Sequence, residues 1–190
     1  MVSGATSFEL TLDLVDHTLV ARTGEGVERS FTLHDGLSLA AFHERLFELL
    51  GSLGIDVVIR PEPFGVPITT LFPEDVEHAS YDRDAVERYW RALAWSDWIL
   101  REFAGWFTGK TSPVHVFWHS FDLALTRFSG RRAPALPGAD EVTREAHSHE
   151  AISFGFWAGD AQVRRPAFYS YAAPEPAGLS ERPLAEGRPG

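Results

Sequence analysis

Ser7–Val15, SFELTLDLV, alternates without a break. Phe8, Leu10, Leu12 and Leu14 fall on one face, and Glu9, Thr11 and Asp13 on the other. This is the two-residue period of a half-buried strand. Asp16-His17 makes a tight turn and Thr18–Arg22 returns. Thr23-Gly24-Glu25-Gly26 makes a second turn, and Val27–Leu33 a third strand. Turns this short favour an antiparallel meander, because parallel neighbours need a crossover of roughly a dozen residues.

Two helical patterns follow. Ser38 caps a stretch over 39–53 in which Leu39, Phe42, Leu46, Leu49, Leu50 and Leu53 make one apolar stripe, and Gly54 suits the stop. The longer pattern covers 84–107. Asp84 and Glu87 fit a capping box, and Val86, Trp90, Leu93, Leu100 and Phe107 share a face flanked by Phe103 and Trp106. Asp97 falls within that face, where a carboxylate needs an Arg or hydroxyl partner unless it sits at the helix edge and reaches solvent. An antiparallel sheet with two main helices, about 38–53 and 84–107, packed on one face is an α+β fold.

Shorter elements fill the rest. Ile55–Ile59 reads as a short strand, and residues 60–76 as a loop carrying four prolines. Residues 114–128 alternate over a length that calls for a bulge or hairpin near Ser120. Residues 130–141 form a Gly/Pro-rich loop, with strands over 147–157 and 167–172. One globular domain is expected over 1–173. The tail, 174–190, is too rich in Pro, Gly and charge to pack and is expected to be disordered.

Composition removes many chemistries. The 190 residues include no Cys and no Asn, which excludes disulfides, thiol nucleophiles and N-glycosylation. Lys110 is the single lysine. No apolar run is long enough to span a bilayer, and MVSGATSFEL lacks the basic and apolar regions of a secretory signal, so a cytoplasmic location is expected. The formal charge is −10 with no basic stripe, which disfavours nucleic acid as a partner. The 24 aromatic residues are the positive signal, and all six Trp lie at or beyond Trp90.

Few motifs stand out. AGWFTGKT (104–111) resembles a phosphate loop, but a helix precedes it and Ser112-Pro113 leads into a strand, the reverse of what the mechanism needs. His115 and His119 stand i, i+4, which on a strand places them ~13 Å apart, too far for one metal ion unless the chain bends. His147-Ser148-His149-Glu150 allows chelation at i, i+2 with His115 as a third ligand, or is simply a polar edge. Asp122 and Arg127 share a predicted core strand, and Arg144 with Glu145 adds a second acid–base pair. These could fix a ligand or only close a polar gap. Tyr169 and Tyr171 share a strand face and could present two hydroxyls to one cavity.

Segments in order along almost the whole chain carry a resemblance. VEHASYD (76–82), GKTSPVHVFW (109–118), SFDLALTRFSGR (120–131), PGAD (137–140), REAHSHE (144–150), GFWAG (155–159) and PAFYSYAAPEP (166–176) resemble the bacterial family called domain of unknown function 5996. The resemblance implies a shared fold and no particular activity. Family members tend to carry Gly at the position of His119 and an aromatic residue at that of His147. This shifts weight from a His147–His149 chelate to His115, His149 and Glu150 as the metal set. Members also usually carry an N-terminal segment, rich in Trp and strand formers, that this chain is expected to lack.

A pocket is therefore expected where strands 114–128, 147–157 and 167–171 meet. Its catalytic candidates are His115, His149, Glu150 and Asp122. Its ligand contacts are Arg127, Trp157, Tyr169, Tyr171 and Arg144. A divalent metal on His115, His149 and Glu150 is the one cofactor these residues could hold. Three readings stay open. The first is a small-molecule-binding protein, with His115 and His149 serving as acid–base groups or metal ligands if it is an enzyme. The second is a non-catalytic module holding an anion on Arg127 against Trp157. The third is a structural or partner-binding protein whose histidines close the core.

Overall fold

The computed structural model describes residues 2–3, 6–64, 66, 68–117 and 120–183. The chain divides into two compact units, Met1–Ala92 and Leu93–Gly190. Each holds a four-stranded antiparallel sheet, so the fold is α+β with its strands shared between two sheets. Among the described residues no helix is long and apolar enough to cross a membrane.

In the first unit β1 (Val2–Ser3), β2 (Thr6–Asp13), β3 (Thr18–Thr23) and β4 (Glu28–Thr32) pair in sequence order. The register sets Leu10 opposite Ala21 and Leu12 opposite Leu19, as the alternation of SFELTLDLV demands. Leu19, Ala21, Leu33 and Leu49 form a buried cluster against which Leu10, Phe42, Leu46 and Tyr81 pack. The turn residue His17 is wholly buried, with a left-handed φ of 54°. Its Nδ1 lies 3.0 Å from the Tyr81 hydroxyl. Its Nε2 is 3.5 Å from Glu87 Oε1 without the alignment of a hydrogen bond.

Helix α1 (Leu39–Ser52) brings the apolar stripe to that cluster. Ser38 accepts the Ala41 N–H at its start. At its end Gly54, φ 70°, donates to Gly51 O while Ile55 donates to Leu50 O, a Schellman closure. Ile55 is buried against Leu50 and Phe8, the apolar contact that accompanies this closure. The apolar run 55–59 is therefore no strand: Ile55 completes a helix stop, and Val58 and Ile59 are exposed.

The 75–79 segment supplies the first turn of α1, since Ala40 and Leu39 donate to the carbonyls of Asp75 and His78. Asp75, 2% exposed, accepts the backbone N–H groups of Glu77 and His78, and its Oδ2 lies 2.7 Å from His78 Nδ1. The His78 N–H, together with its ring, holds the Asp75 carboxyl below its ordinary value of 3.8 despite burial. A depressed carboxyl stabilises the folded state at neutral pH and loses that contribution as pH falls through the folded value. Asp75→Asn is thus expected to lower the melting temperature at pH 7, and the gap from the unsubstituted protein should narrow once the pH is taken well below 3.8. Thermal melts at both pH values check this; an equal gap at both would refute it.

Helix α2 (Arg83–Gly105) starts one residue earlier than the pattern implied and stops two earlier. Its cap is Asp82, whose carboxylate accepts the Ala85 N–H, so Asp84 sits inside the first turn. Asp97 finds an Arg partner on its own helix, Arg101 Nε at 2.6 Å, with the pair on the solvent side.

In the second unit β5 (His115–Phe117) and β6 (Asp122–Arg132) form the hairpin expected near Ser120. Phe121, with φ 55°, donates its N–H to Phe117 O to close it. His119 and Trp118 lie outside the described residues. Beyond β5's reach, Lys110–Ser112 bonds to the same edge of β6: Ser112 donates to Thr126 O and Phe128 to Lys110 O. β6 continues through a register shift between Phe128 and Arg132, where Gly130 has φ 85°. The 130–141 loop is thus shorter than expected. It is followed by α3 (Glu141–Ala146), a helix the Gly/Pro-rich flank concealed, capped by Asp140. β7 (His149–Trp157) and β8 (Ala167–Ala173) complete the sheet in the order β5-β6-β7-β8. Of the tail, 184–190 lie outside the described residues; within 174–183, turns close from Leu179 to Pro176 and from Arg182 to Leu179.

Candidate functional site

Strand register decides which candidates can meet, because paired residues share a face and faces alternate along each strand. Arg127 pairs with Ile152, which pairs with Ala172. Glu150 lies two residues along from Ile152, on this same face. His115 pairs with Ala124, Ala124 with Gly155, and Gly155 with Tyr169. Asp122, Trp157 and Tyr171 share that second face. The expected single pocket is therefore split between two faces of one sheet.

The first face carries a cleft of about 510 Å³ lined by Phe107, Arg127, Arg131, Glu150, Ile152 and Phe154, among others, with Pro174–Pro176 at one side. Arg127 is half-buried and caged. Its guanidinium lies 3.9 Å from the Phe103 ring centroid, 4.8 Å from that of Phe107 and 5.5 Å from that of Phe154. One terminal N–H group donates to Phe103 O at 2.7 Å, while the buried Nε has no hydrogen-bond partner. Among the described residues no carboxylate forms an ion pair with it. The aromatic faces offset part of the cost of desolvating it, and an incoming anion would offset more.

Glu150, at the cleft's edge, accepts from the Ser129 hydroxyl and from Arg131 Nε, both at 2.8 Å on Oε2. These two donors, Ser129 first, hold its carboxyl below the ordinary value. The expected role of Glu150 as a proton carrier is thus set against its being kept ionised. Lys110 places its ammonium 5.7 Å from the ring centroid of Phe128, another lining residue.

On the opposite face Asp122, 8% exposed, accepts from both the Ser120 and Tyr169 hydroxyls. Burial, and then donation to Asp122, raise the Tyr169 hydroxyl far above its ordinary value. Tyr169 stacks on Tyr171 with centroids 6.1 Å apart, so the two rings do share a face. The Tyr169 hydroxyl is committed to Asp122. Gly155 makes room for this ring: a Cβ there would sit 2.6 Å from Tyr169 Cε1.

The remaining candidates stand apart. His149 pairs opposite Arg132 at the far end of β6, six residues along β7 from the row that holds His115. That offset is ~20 Å at ~3.3 Å per residue, so His115, His149 and Glu150 do not come together. His115 is exposed, with Nδ1 3.0 Å from Pro113 O, and His149 Nδ1 is 3.1 Å from Ser148 Oγ. Arg144 is on α3, and Trp157 is half-buried opposite Ala167. Among the described residues no group of three His, Asp or Glu side chains is placed to hold a metal ion.

Sequence reasoning found Arg127 and Glu150 but not the Phe103 and Phe107 cage. The i, i+4 spacing of those two rings beside the end of α2 was the available signal. Neither the curated proteins nor the solved structures give a match to this chain. A family model does match over residues 1–188, and the chain belongs to that family of unknown function, DUF5996.

Proposed function

We propose that the protein binds a small organic anion with an apolar body, a carboxylate or phosphate ester, in the Arg127 cleft. The observation that carries this reading is the Arg127 guanidinium, lining a cleft yet answered, among the described residues, by one backbone carbonyl and no carboxylate. The flat faces of the guanidinium engage aromatic rings, which leaves its edge for an oxyanion. Phe107, Ile152 and Phe154 offer apolar surface for the body of the ligand. The ~20 Å offset between the His115 and His149 rows lends no support to paired acid–base or metal chemistry. A binding role without catalysis is therefore preferred.

The test is calorimetric titration with aryl and alkyl carboxylates and with their phosphate-ester counterparts. At least one series should bind, and Arg127→Gln should weaken it tenfold or more with an unchanged circular dichroism spectrum, since a charge-assisted pair contributes ~1.5–3 kcal/mol. Absence of binding in both series, or binding indifferent to Arg127→Gln, would overturn the reading.

A further inference from the structure

The least expected surface in the molecule is one side of α2. Trp95 is 67% exposed, Trp98 60% and Ile99 44%, and the two indoles stand edge to face with centroids 5.9 Å apart. Ala94 lies beside them, and the three residues Ala94, Trp95 and Trp98 line an open notch of about 330 Å³. An apolar patch of this kind, rimmed by charge, marks an interaction surface more often than a solvated one. We propose that it docks a second copy of this chain, α2 against α2 in antiparallel alignment about a two-fold axis near residues 96 and 97.

The helix carries its own complement in that arrangement. Residues 91, 94, 95 and 98 are spaced i, i+3, i+4 and i+7, the outline of a hole on a helix surface. A two-fold near 96–97 sends Trp98 of each copy into that hole on the other. The same operation sets Arg91 of one copy beside Glu102 of the other, twice over, since the two positions stand at equal distances on either side of the axis. Arg91 and Glu102 are both exposed. Arg91 pairs with Glu87 of its own helix, at 3.2 Å, with its side chain largely exposed. A lipid surface is the poorer occupant, because the chain carries a formal charge of −10, which anionic membranes repel.

Each tryptophan offers on the order of 150 Å². Four of them fall short of the ~1,200 Å² at which specific interfaces begin, so the dimer is expected to depend on concentration in the micromolar range. Sedimentation velocity of the full chain from about 1 to about 200 µM should show a monomer passing to a dimer and stopping there. Trp98→Glu should raise the dissociation constant tenfold or more, with an unchanged circular dichroism spectrum. Arg91→Glu should raise it about threefold, and adding Glu102→Arg should restore it, since reversing both charges re-forms the pair. The rescue arm keeps the test sharp if Trp98→Glu folds poorly. A monomer throughout, a dimer indifferent to Trp98→Glu, open-ended polymers, or tryptophan fluorescence that responds to anionic vesicles and not to protein concentration would each overturn the proposal.

Discussion

Replacing Gly155 with valine is expected to destabilise the Leu93–Gly190 unit by about 1–3 kcal/mol. Gly155 lies in β7 between Ala124 and Tyr169, with the Tyr169 ring laid across it. A side chain there cannot displace the ring cheaply. The ring stacks on Tyr171 and its hydroxyl is given to Asp122. If the ring moves, the buried Asp122 carboxylate keeps only Ser120, and losing a partner at a buried acceptor costs about 1–3 kcal/mol. If the ring stays, the sheet is overpacked at a similar cost. Guanidinium unfolding followed by near-ultraviolet dichroism measures the loss. Adding Tyr169→Ala to Gly155→Val should recover part of it, because the clash then has no second party. A loss below about 1 kcal/mol would mean the ring yields freely and that Gly155 is not there to seat it.

His17→Val is expected to cost the Met1–Ala92 unit about 3 kcal/mol, through two separate effects. A branched side chain at φ 54° is strained by roughly 1–2 kcal/mol, where Asn tolerates the left-handed region. Removing the ring also strips the Tyr81 hydroxyl of its partner and leaves a void in a wholly buried position. His17→Asn should therefore cost less than His17→Val, though both exceed the unsubstituted protein in exchange rate. Hydrogen exchange at the β3 amides ranks the three. If valine proves no worse than asparagine, backbone strain at this turn plays no part.

The legible parts of the fold were those set by local chemistry. SFELTLD could only be a half-buried strand, although Leu14 and Val15 pass into the turn rather than extending it, and Ser38 and Gly54 mark the ends of α1 as their hydrogen bonds now do. Ile55 misled because an apolar residue after a helix stop and the first residue of a strand look alike until the Leu50 carbonyl is seen to accept its N–H. The sharing of strands between two sheets could not be read, because alternation reports which face is buried and not which neighbour supplies the hydrogen bonds. The same limit explains the candidate site. Arg127 and Asp122 were identifiable as polar residues on a core strand, but their opposite faces follow from parity within β6 once its limits are known. The separation of His115 from His149 follows only from register across three strands. The Phe103 and Phe107 cage required a helix end to meet a strand far along the chain.

The single lysine gives the molecule a chemical address. Lys110 is bonded through its carbonyl to Phe128, and its ammonium rests near the ring of that residue, which itself lines the Arg127 cleft. An amine-directed fluorophore therefore has one side-chain target in the sequence, at the edge of the proposed ligand site. With no cysteine present, a thiol introduced elsewhere would accept a second dye without cross-reaction. One introduced thiol thus suffices for two-colour distance measurements that report on ligand entry and on chain association in the same sample.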